Sequence, residues 1–183
     1  KTIEIVPAPE DVSVSPGEAV IGAGDRITLA ATLTEGSAGA CSFASGDPSV
    51  ATVDAATGAV KAVAAGETDI TVTAYNGVSA SARIRVVAAP ETLTFLAPDG
   101  NALEMEKGDT FQISPDMGEM TSFGITYKSS KSSVASVSAS GLVTARTSGS
   151  CTITATAYNG ATVQISVTVK IWVDLLDSDY AAH

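Results

Sequence analysis

An internal repeat constrains this chain most, because a duplicated sequence predicts a duplicated fold. Residues 66–77 recur as residues 149–160, at an offset of 83 and with 8 of 12 positions identical. Upstream, residues 49–53 match residues 133–137 at an offset of 84. The change of one residue lies between these matches, in a turn-like stretch where an insertion is easily tolerated. The chain is therefore two copies of one module.

Strand-like alternation runs through both copies. Residues 26–33 alternate between apolar and more polar side chains, which predicts one half-buried strand. Alternation along 68–75 and 80–86 flanks Asn76-Gly77, and the second copy has Asn159-Gly160. Asn-Gly predicts a tight hairpin because both residues tolerate positive φ. With turn residues every 8–12 positions and no helical stripe, about seven short strands per copy predict an all-β fold of two β-sandwiches.

The repeat also places the domain boundaries. We predict one sandwich over 1–88, a second over 89–172 and a tail over 173–183 that fits neither copy. The joint, Ala88-Ala89-Pro90, is short and stiff, so we expect the two sandwiches to lie end to end. Residues 3–10 resemble residues 84–91. They are either the end of an earlier module or the β-strand and proline with which any such module begins.

Composition narrows the classes of function. Apolar residues make up 45% and aromatic residues 5%, so the cores must be built from Val, Ala, Ile and Leu. The net charge of −10 disfavours nucleic acid as a partner and self-association, which predicts a monomer. No run of about 20 apolar residues is present, so we expect no membrane insertion by this segment.

The motifs resemble a known family. The aromatic position is taken by Phe43 and Tyr127, and the remaining matches fall at 45–54, 58–63, 66–72, 128–130, 134–137, 141–145 and 149–153. They are similar to the bacterial immunoglobulin-like domain, group 2, whose pattern places Val-Ala-x-Val before spaced Gly, Val and Ile residues. The resemblance implies two tandem immunoglobulin-like β-sandwich domains, as in surface proteins of the invasin and intimin type.

The same resemblance implies a role without catalysis. We expect a stalk or weak-contact adhesive array that is extracellular or on the bacterial cell surface, with its export signal and anchor outside this sequence. The partner would be a host or bacterial surface glycan or protein. Two alternatives remain: an accessory region of an extracellular polysaccharide-active enzyme, and a phage virion tail or decoration module.

Few residues suggest chemistry. His183 is the only histidine, which excludes histidine triads and multi-histidine metal sites. Carboxylate pairs for glycoside hydrolysis are not excluded by residue type, but no stretch combines acids with aromatic platforms. We predict no catalytic residue and no organic cofactor. The rings expected in cores or at hairpin corners are Phe43, Phe111, Tyr127, Tyr75 and Tyr158, while Trp172 is expected to cap the second module and Tyr180 is unassigned.

The two cysteines, Cys41 and Cys151, fall in different modules and at non-equivalent positions. An end-to-end arrangement holds them too far apart to bridge. Alternation places both on inward faces, so we predict two buried free thiols.

Calcium is the only metal that the sequence suggests. Asp47, Asp54 and Asp69 are replaced in the second copy by Lys, Ser and Thr, so they are better explained as a strand residue and turn residues. Glu10, Asp11 and Glu91, near the module ends, remain as weak calcium candidates. An acid-rich loop over 98–107, about four residues longer than its counterpart, is either a tolerated insertion or a place for binding.

Overall fold

A computed structural model describes residues 6–95 and 101–171. These residues form sixteen β-strands, and no helix is found among them. Accordingly, nothing in the described ranges is a helix that could cross a membrane. The predictions for Trp172, Tyr180, His183 and the tail lie outside the described residues.

The chain divides into two compact units, each of which is made of three separate stretches of the sequence. Unit 1 comprises Lys1–Glu91, Met117–Ile125 and Ala157–Ala161, and unit 2 comprises Thr92–Asp116, Thr126–Thr156 and Thr162–His183. The first nine strands lie in unit 1. They are β1 (Val12–Ser15), β2 (Glu18–Gly22), β3 (Arg26–Thr28), β4 (Ala30–Leu33), β5 (Cys41–Ser45), β6 (Ala51–Val53), β7 (Ala59–Ala62), β8 (Gly66–Ala74) and β9 (Ser79–Val87).

Three sheets build unit 1. One has the strand order β2-β9-β8-β5, another has the order β3-β7-β6, and β1 pairs with β4. Strands β2 and β9 are parallel, from Glu18 opposite Arg83 to Gly22 opposite Val87, whereas the other registered pairs are antiparallel. The inward positions of these sheets fill one core, in which Ile21, Ile70 and Ile84 are fully buried. The all-β sandwich fold is confirmed.

The predicted strand over 26–33 is divided in two. Strand β3 pairs with β7, whereas β4 pairs with β1, so the chain changes sheets at Leu29. Leu29 is buried at 1% exposure and its N–H donates to the Gly58 carbonyl at 2.9 Å. The alternation of side chains is present, but it does not show that residues 26–28 and residues 30–33 belong to two different sheets.

The Asn-Gly hairpin forms, although not with the expected backbone. Gly77 has φ +91°, and Asn76 does not have a positive φ. The Gly77 N–H donates to the Ala74 carbonyl at 2.9 Å, and the Ala74 N–H donates to the Val78 carbonyl at 2.8 Å. This is a three-residue loop that ends on a left-handed glycine, rather than a two-residue turn with two positive φ angles. Only the glycine needs the unusual conformation.

Unit 2 repeats the main sheets. Its strands are β10 (Ala102–Glu106), β11 (Thr110–Gln112), β12 (Ile125–Ser129), β13 (Ala135–Val137), β14 (Leu142–Ala145), β15 (Gly149–Ala157) and β16 (Thr162–Lys170). The end residues Ile125 and Ala157 belong to unit 1. The sheet orders are β10-β16-β15-β12 and β11-β14-β13. Its core includes the buried Ile153, Ile165 and Val167, with Phe111 and Tyr127 packed partly buried against it.

The predicted long loop is wrong for its described part. Residues 98–100 lie outside the described residues, but Ala102–Glu106 is strand β10, paired parallel with β16. Met105 is buried in this pairing and Leu103 packs against the core. The acidic residues Glu104 and Glu106 concealed the strand, because they occupy its outward positions.

Candidate functional site

Two serines that occupy the same position in the two copies hold the same bond. The Ser45 hydroxyl donates to the Ala51 carbonyl at 2.7 Å, and the Ser129 hydroxyl donates to the Ala135 carbonyl at 2.6 Å. Each bond ties the end of one strand to the start of the next, β5 to β6 and β12 to β13. These hydroxyls are therefore committed to the fold rather than presented to a ligand.

Two glycines of the pattern are also structural. Gly58 has φ +69° and Gly141 has φ +84°. A Cβ at Gly58 would overlap the Leu29 carbonyl oxygen and lie 2.9 Å from Phe43 Cζ, and one at Gly141 would lie 3.0 Å from Tyr127 Cζ. Both the backbone angle and the close approach require glycine. The aromatic residue and the glycine of the family pattern are thus one packing unit.

The asparagines of the hairpin loops have a role that the sequence reasoning missed. Asn76 Nδ2 donates to the Pro9 carbonyl at 2.7 Å, and Asn159 Nδ2 donates to the Pro90 carbonyl at 2.5 Å. The signal was available, since both the asparagine and the proline recur in the two copies. Each loop therefore fixes the chain where a module begins.

The turn aspartates are confirmed as structural. Asp47 Oδ1 accepts from the Ser49 hydroxyl and N–H at 2.6 and 2.9 Å, and Asp54 Oδ1 accepts from the Thr57 hydroxyl and N–H, both at 2.8 Å. These hydrogen bonds lower the pKa of both carboxyls, and the bonds from the hydroxyls have the largest effect. Asp69 differs, since it lies exposed on β8 opposite Arg83.

The calcium candidates are separate, exposed side chains. Glu10, Asp11 and Glu91 are all exposed, and the Asp11 backbone is bonded to Thr34, whose hydroxyl accepts from the Asp11 N–H at 2.8 Å. Within residues 6–95 and 101–171, no three Asp, Glu, Cys or His side chains form a group that could hold a metal ion. Calcium at these acids stays a prediction.

The cysteines are free thiols in the structure. Cys151 is buried at 7% exposure in the second core, as predicted. Cys41 is only half-buried, because it begins the edge strand β5. The prediction that both thiols are buried is therefore wrong for Cys41.

Residues 117–125 line one edge of unit 1. The Val20 N–H donates to Thr121 Oγ1 at 2.8 Å, and the Thr121 N–H donates to the Val20 carbonyl at 2.9 Å. These two bonds occupy the outer edge of β2. Glu119 pairs with Arg85 at 2.6 Å. Exposed edge strands are prone to unwanted pairing, so covering β2 has a protective effect.

A buried carboxylate lies beside this edge. Asp25 is 3% exposed; its Oδ1 accepts from the Arg26 N–H at 2.7 Å and its Oδ2 from the Gly124 N–H at 3.1 Å. Tyr158 lies close by, with its ring against that of Phe123 at 5.7 Å in an edge-on arrangement. Burial, and secondarily the charge of Asp25, raise the pKa of Tyr158. Both oxygens of Asp25 are used by backbone donors, which leaves a structural rather than a catalytic carboxylate.

Unit 2 has a shallow polar depression on the outer face of its larger sheet. Its lining comes from Ser130, Lys131, Ser150, Cys151, Thr152, Ser166 and Thr168. Hydroxyl groups and the Lys131 ammonium group make its surface polar, whereas the Cys151 side chain is buried in the core. Two of these hydroxyls, Ser150 and Thr168, lie opposite each other on β15 and β16. Such a surface can form hydrogen bonds with a polar ligand, but its lining offers no ring for stacking against a sugar.

The fold and these repeated contacts define a class of protein, the tandem immunoglobulin-like β-sandwich. The family model "Bacterial Ig-like domain (group 2)" matches residues 9–85 and 99–169, which is well over half of the sequence. The chain belongs to this family. Among proteins of curated function, none matches the chain.

Solved structures with a similar chain course include surface proteins. One is the S-layer protein rSbsC(31-844), with 21% identity, 92% of this chain covered and a TM-score of 0.36. Another is a C-terminal 282-residue fragment of intimin in complex with the translocated intimin receptor, with 18% identity, 90% of this chain and 65% of that chain covered, and a TM-score of 0.34. Human protocadherin-24 EC1-2 has 14% identity, 92% of this chain and 100% of that chain covered, and a TM-score of 0.36. The chain spans 29% of the S-layer structure. At these TM-scores, the likenesses support no argument about ligand or partner.

Proposed function

We propose that this chain is a non-catalytic structural and adhesive module of a bacterial cell-surface or secreted protein. One observation carries the proposal: three pairs of residues that the two copies share are used for folding. The paired serines, the paired glycines and the paired asparagines each serve internal bonds or close packing. A repeated catalytic or binding site would instead repeat exposed chemical groups.

The proposed mechanism is geometric. Stable sandwiches hold other parts of a longer protein in place, and exposed loops and sheet faces make weak contacts with surface glycans or proteins. The family supports this role, since a module of this kind needs a stable core and a polar surface more than a pocket. The location would then be extracellular or on the cell surface.

A second function is favoured by the hydroxyl-lined depression of unit 2. An accessory region of a polysaccharide-active enzyme would bind a glycan through such hydroxyls and through Lys131. The first copy has Asp47 at the position of Lys131, so the depression is not repeated in the same chemical form. Here the two copies differ in charge, which is what a ligand site confined to unit 2 would require.

The two functions are separated by measuring glycan binding with the full chain on a broad glycan array, followed by calorimetry. The structural role predicts Kd values weaker than about 1 mM for every glycan, which means a binding free energy no more favourable than about −4 kcal/mol. The matched variant is Lys131→Asp, which restores the residue of the first copy. A micromolar Kd that this variant weakens at least tenfold would overturn the structural role in favour of the accessory one.

A further inference from the structure

One surface of unit 1 has the same chemical groups as a segment that is already docked within that unit. By the offset of 84, the loop at residues 34–40 is the counterpart of residues 118–124, and by the offset of 83, Tyr75 is the counterpart of Tyr158. One backbone hydrogen bond is the same in both places. The Tyr75 N–H donates to the Ala40 carbonyl at 3.1 Å, and the Tyr158 N–H donates to the Gly124 carbonyl at 2.9 Å.

Besides the Glu119–Arg85 ion pair and the bond from the Thr121 N–H, three groups make contacts at this edge, and each has a counterpart in the first copy. A hydroxyl, that of Thr121, accepts from the N–H of Val20 on the edge strand β2. A backbone N–H, that of Gly124, donates to the buried Asp25. The tyrosine ring of Tyr158 covers Gly22, where a Cβ would overlap its hydroxyl oxygen.

The counterpart loop has all three groups without these contacts. Ser37 provides the hydroxyl, Ala40 the N–H and Tyr75 the ring. Ala40 is exposed, and Tyr75 is 61% exposed, with its ring lying over Gly39. A tyrosine so exposed, next to a loop of small residues, has the composition of an interaction surface.

The chain ahead of this loop is held in the same way as well. Pro9 is bonded by Asn76 as Pro90 is bonded by Asn159, and the residues ahead of Pro90 form β9, the neighbour of β2. A module joined ahead of Pro9 would therefore arrive beside the 34–40 loop with its own edge strand nearby.

We propose that the 34–40 loop and Tyr75 form a docking surface for another module of this family, joined ahead of Pro9. The joined module would contact this surface through an edge strand like Glu18–Gly22 and through a Gly-x-Gly-Asp turn like residues 22–25. The Glu119–Arg85 ion pair has no equivalent there, because the counterpart of Arg85 in the 3–10 stretch is Glu4. This surface goes beyond the proposed function, since a docked neighbour suits either role.

The test is an extended chain in which residues 1–89 are joined to residues 9–183 of the full chain. The added copy provides Gly22, Asp25 and the β2 edge in front of the original Tyr75, and it carries Tyr75→Phe itself. With 3-fluorotyrosine incorporated, a soluble paramagnetic agent reports the exposure of each ring by fluorine NMR. We expect the broadening of the original Tyr75 signal to fall at least threefold relative to the unextended chain.

The matched control is Gly22→Ala in the added copy only. The three nearest atoms that a Cβ at Gly22 meets belong to Tyr158 and Met120, and Gly22 does not have a positive φ, so the added copy should still fold. This change should restore the exposure of Tyr75. Unchanged exposure of Tyr75 in an extended chain whose added copy unfolds cooperatively would overturn the proposal. Protection that survives Gly22→Ala would overturn it too.

Discussion

Replacing Gly58 with alanine should be among the most destabilising single changes in unit 1. Gly58 has φ +69°, and a non-glycine residue in this left-handed region costs about 1–2 kcal/mol. The added Cβ would also overlap the Leu29 carbonyl oxygen and lie 2.9 Å from Phe43 Cζ. Relieving such overpacking costs about 1–3 kcal/mol. It would also strain the Leu29–Gly58 hydrogen bond, which contributes about 1 kcal/mol.

The free energy of unfolding should therefore fall by about 3–5 kcal/mol in Gly58→Ala. Gly36 provides the matched control, since it has φ +79° but a Cβ there meets nothing within 4 Å. Gly36→Ala should cost only about 1 kcal/mol, because the conformational term is partly offset by a less flexible unfolded chain. For a domain of this size, 1 kcal/mol corresponds to about 4–8 °C in Tm.

The assay is urea and thermal unfolding followed by circular dichroism, with unit 2 as an internal reference. The urea dependence should keep the same slope, so that the midpoint alone reports stability. If Gly58→Ala and Gly36→Ala differ by less than about 0.5 kcal/mol, the close packing of Gly58 against Leu29 and Phe43 is not what requires glycine, and the reasoning fails.

Three further outcomes are expected. Asn76→Ala should lower the stability of unit 1 by about 1 kcal/mol in urea unfolding, because it removes the 2.7 Å bond to the Pro9 carbonyl; no loss would contradict this role. NMR titration should place the pKa of Asp54 below its ordinary value of 3.8, so its stabilising effect is present above about pH 4 and is lost as the pH falls through the lowered pKa. A thiol reagent should label Cys41 in the native chain and Cys151 only after unfolding; rapid labelling of both would contradict the burial of Cys151.

The sequence predicted those parts of the fold that local chemistry determines. The alternation at Thr68, Ile70, Val72 and Ala74 gave the inward face of β8 correctly, since side-chain direction in a strand depends only on position. Leu29 shows the limit of this reasoning. Its burial followed the pattern, but the change of sheet there depends on pairing with distant strands, which alternation does not encode.

The contacts of the candidate site show the same limit. Asp47 and Asp54 were predictable as turn residues because their partners lie two or three residues away. Asp25 was not predictable as a buried carboxylate, since its donor, Gly124, is 99 residues away in the sequence. A single sequence reveals hydrogen bonds between residues that are close in sequence. It does not reveal bonds between distant residues, such as Asp25 and Gly124.

The parallel pairing of β2 with β9 has a mechanical consequence. Because β2 lies near the start of residues 1–91 and β9 near their end, a pull on the two ends of this stretch drags the strands past each other lengthwise. The five residue pairs from Glu18–Arg83 to Gly22–Val87 then share the load at once, whereas a hairpin pulled at its open end yields one pair after another. Strand β10 has the same parallel relation to β16. Both units therefore oppose tension along the chain with whole strands rather than with single residue pairs.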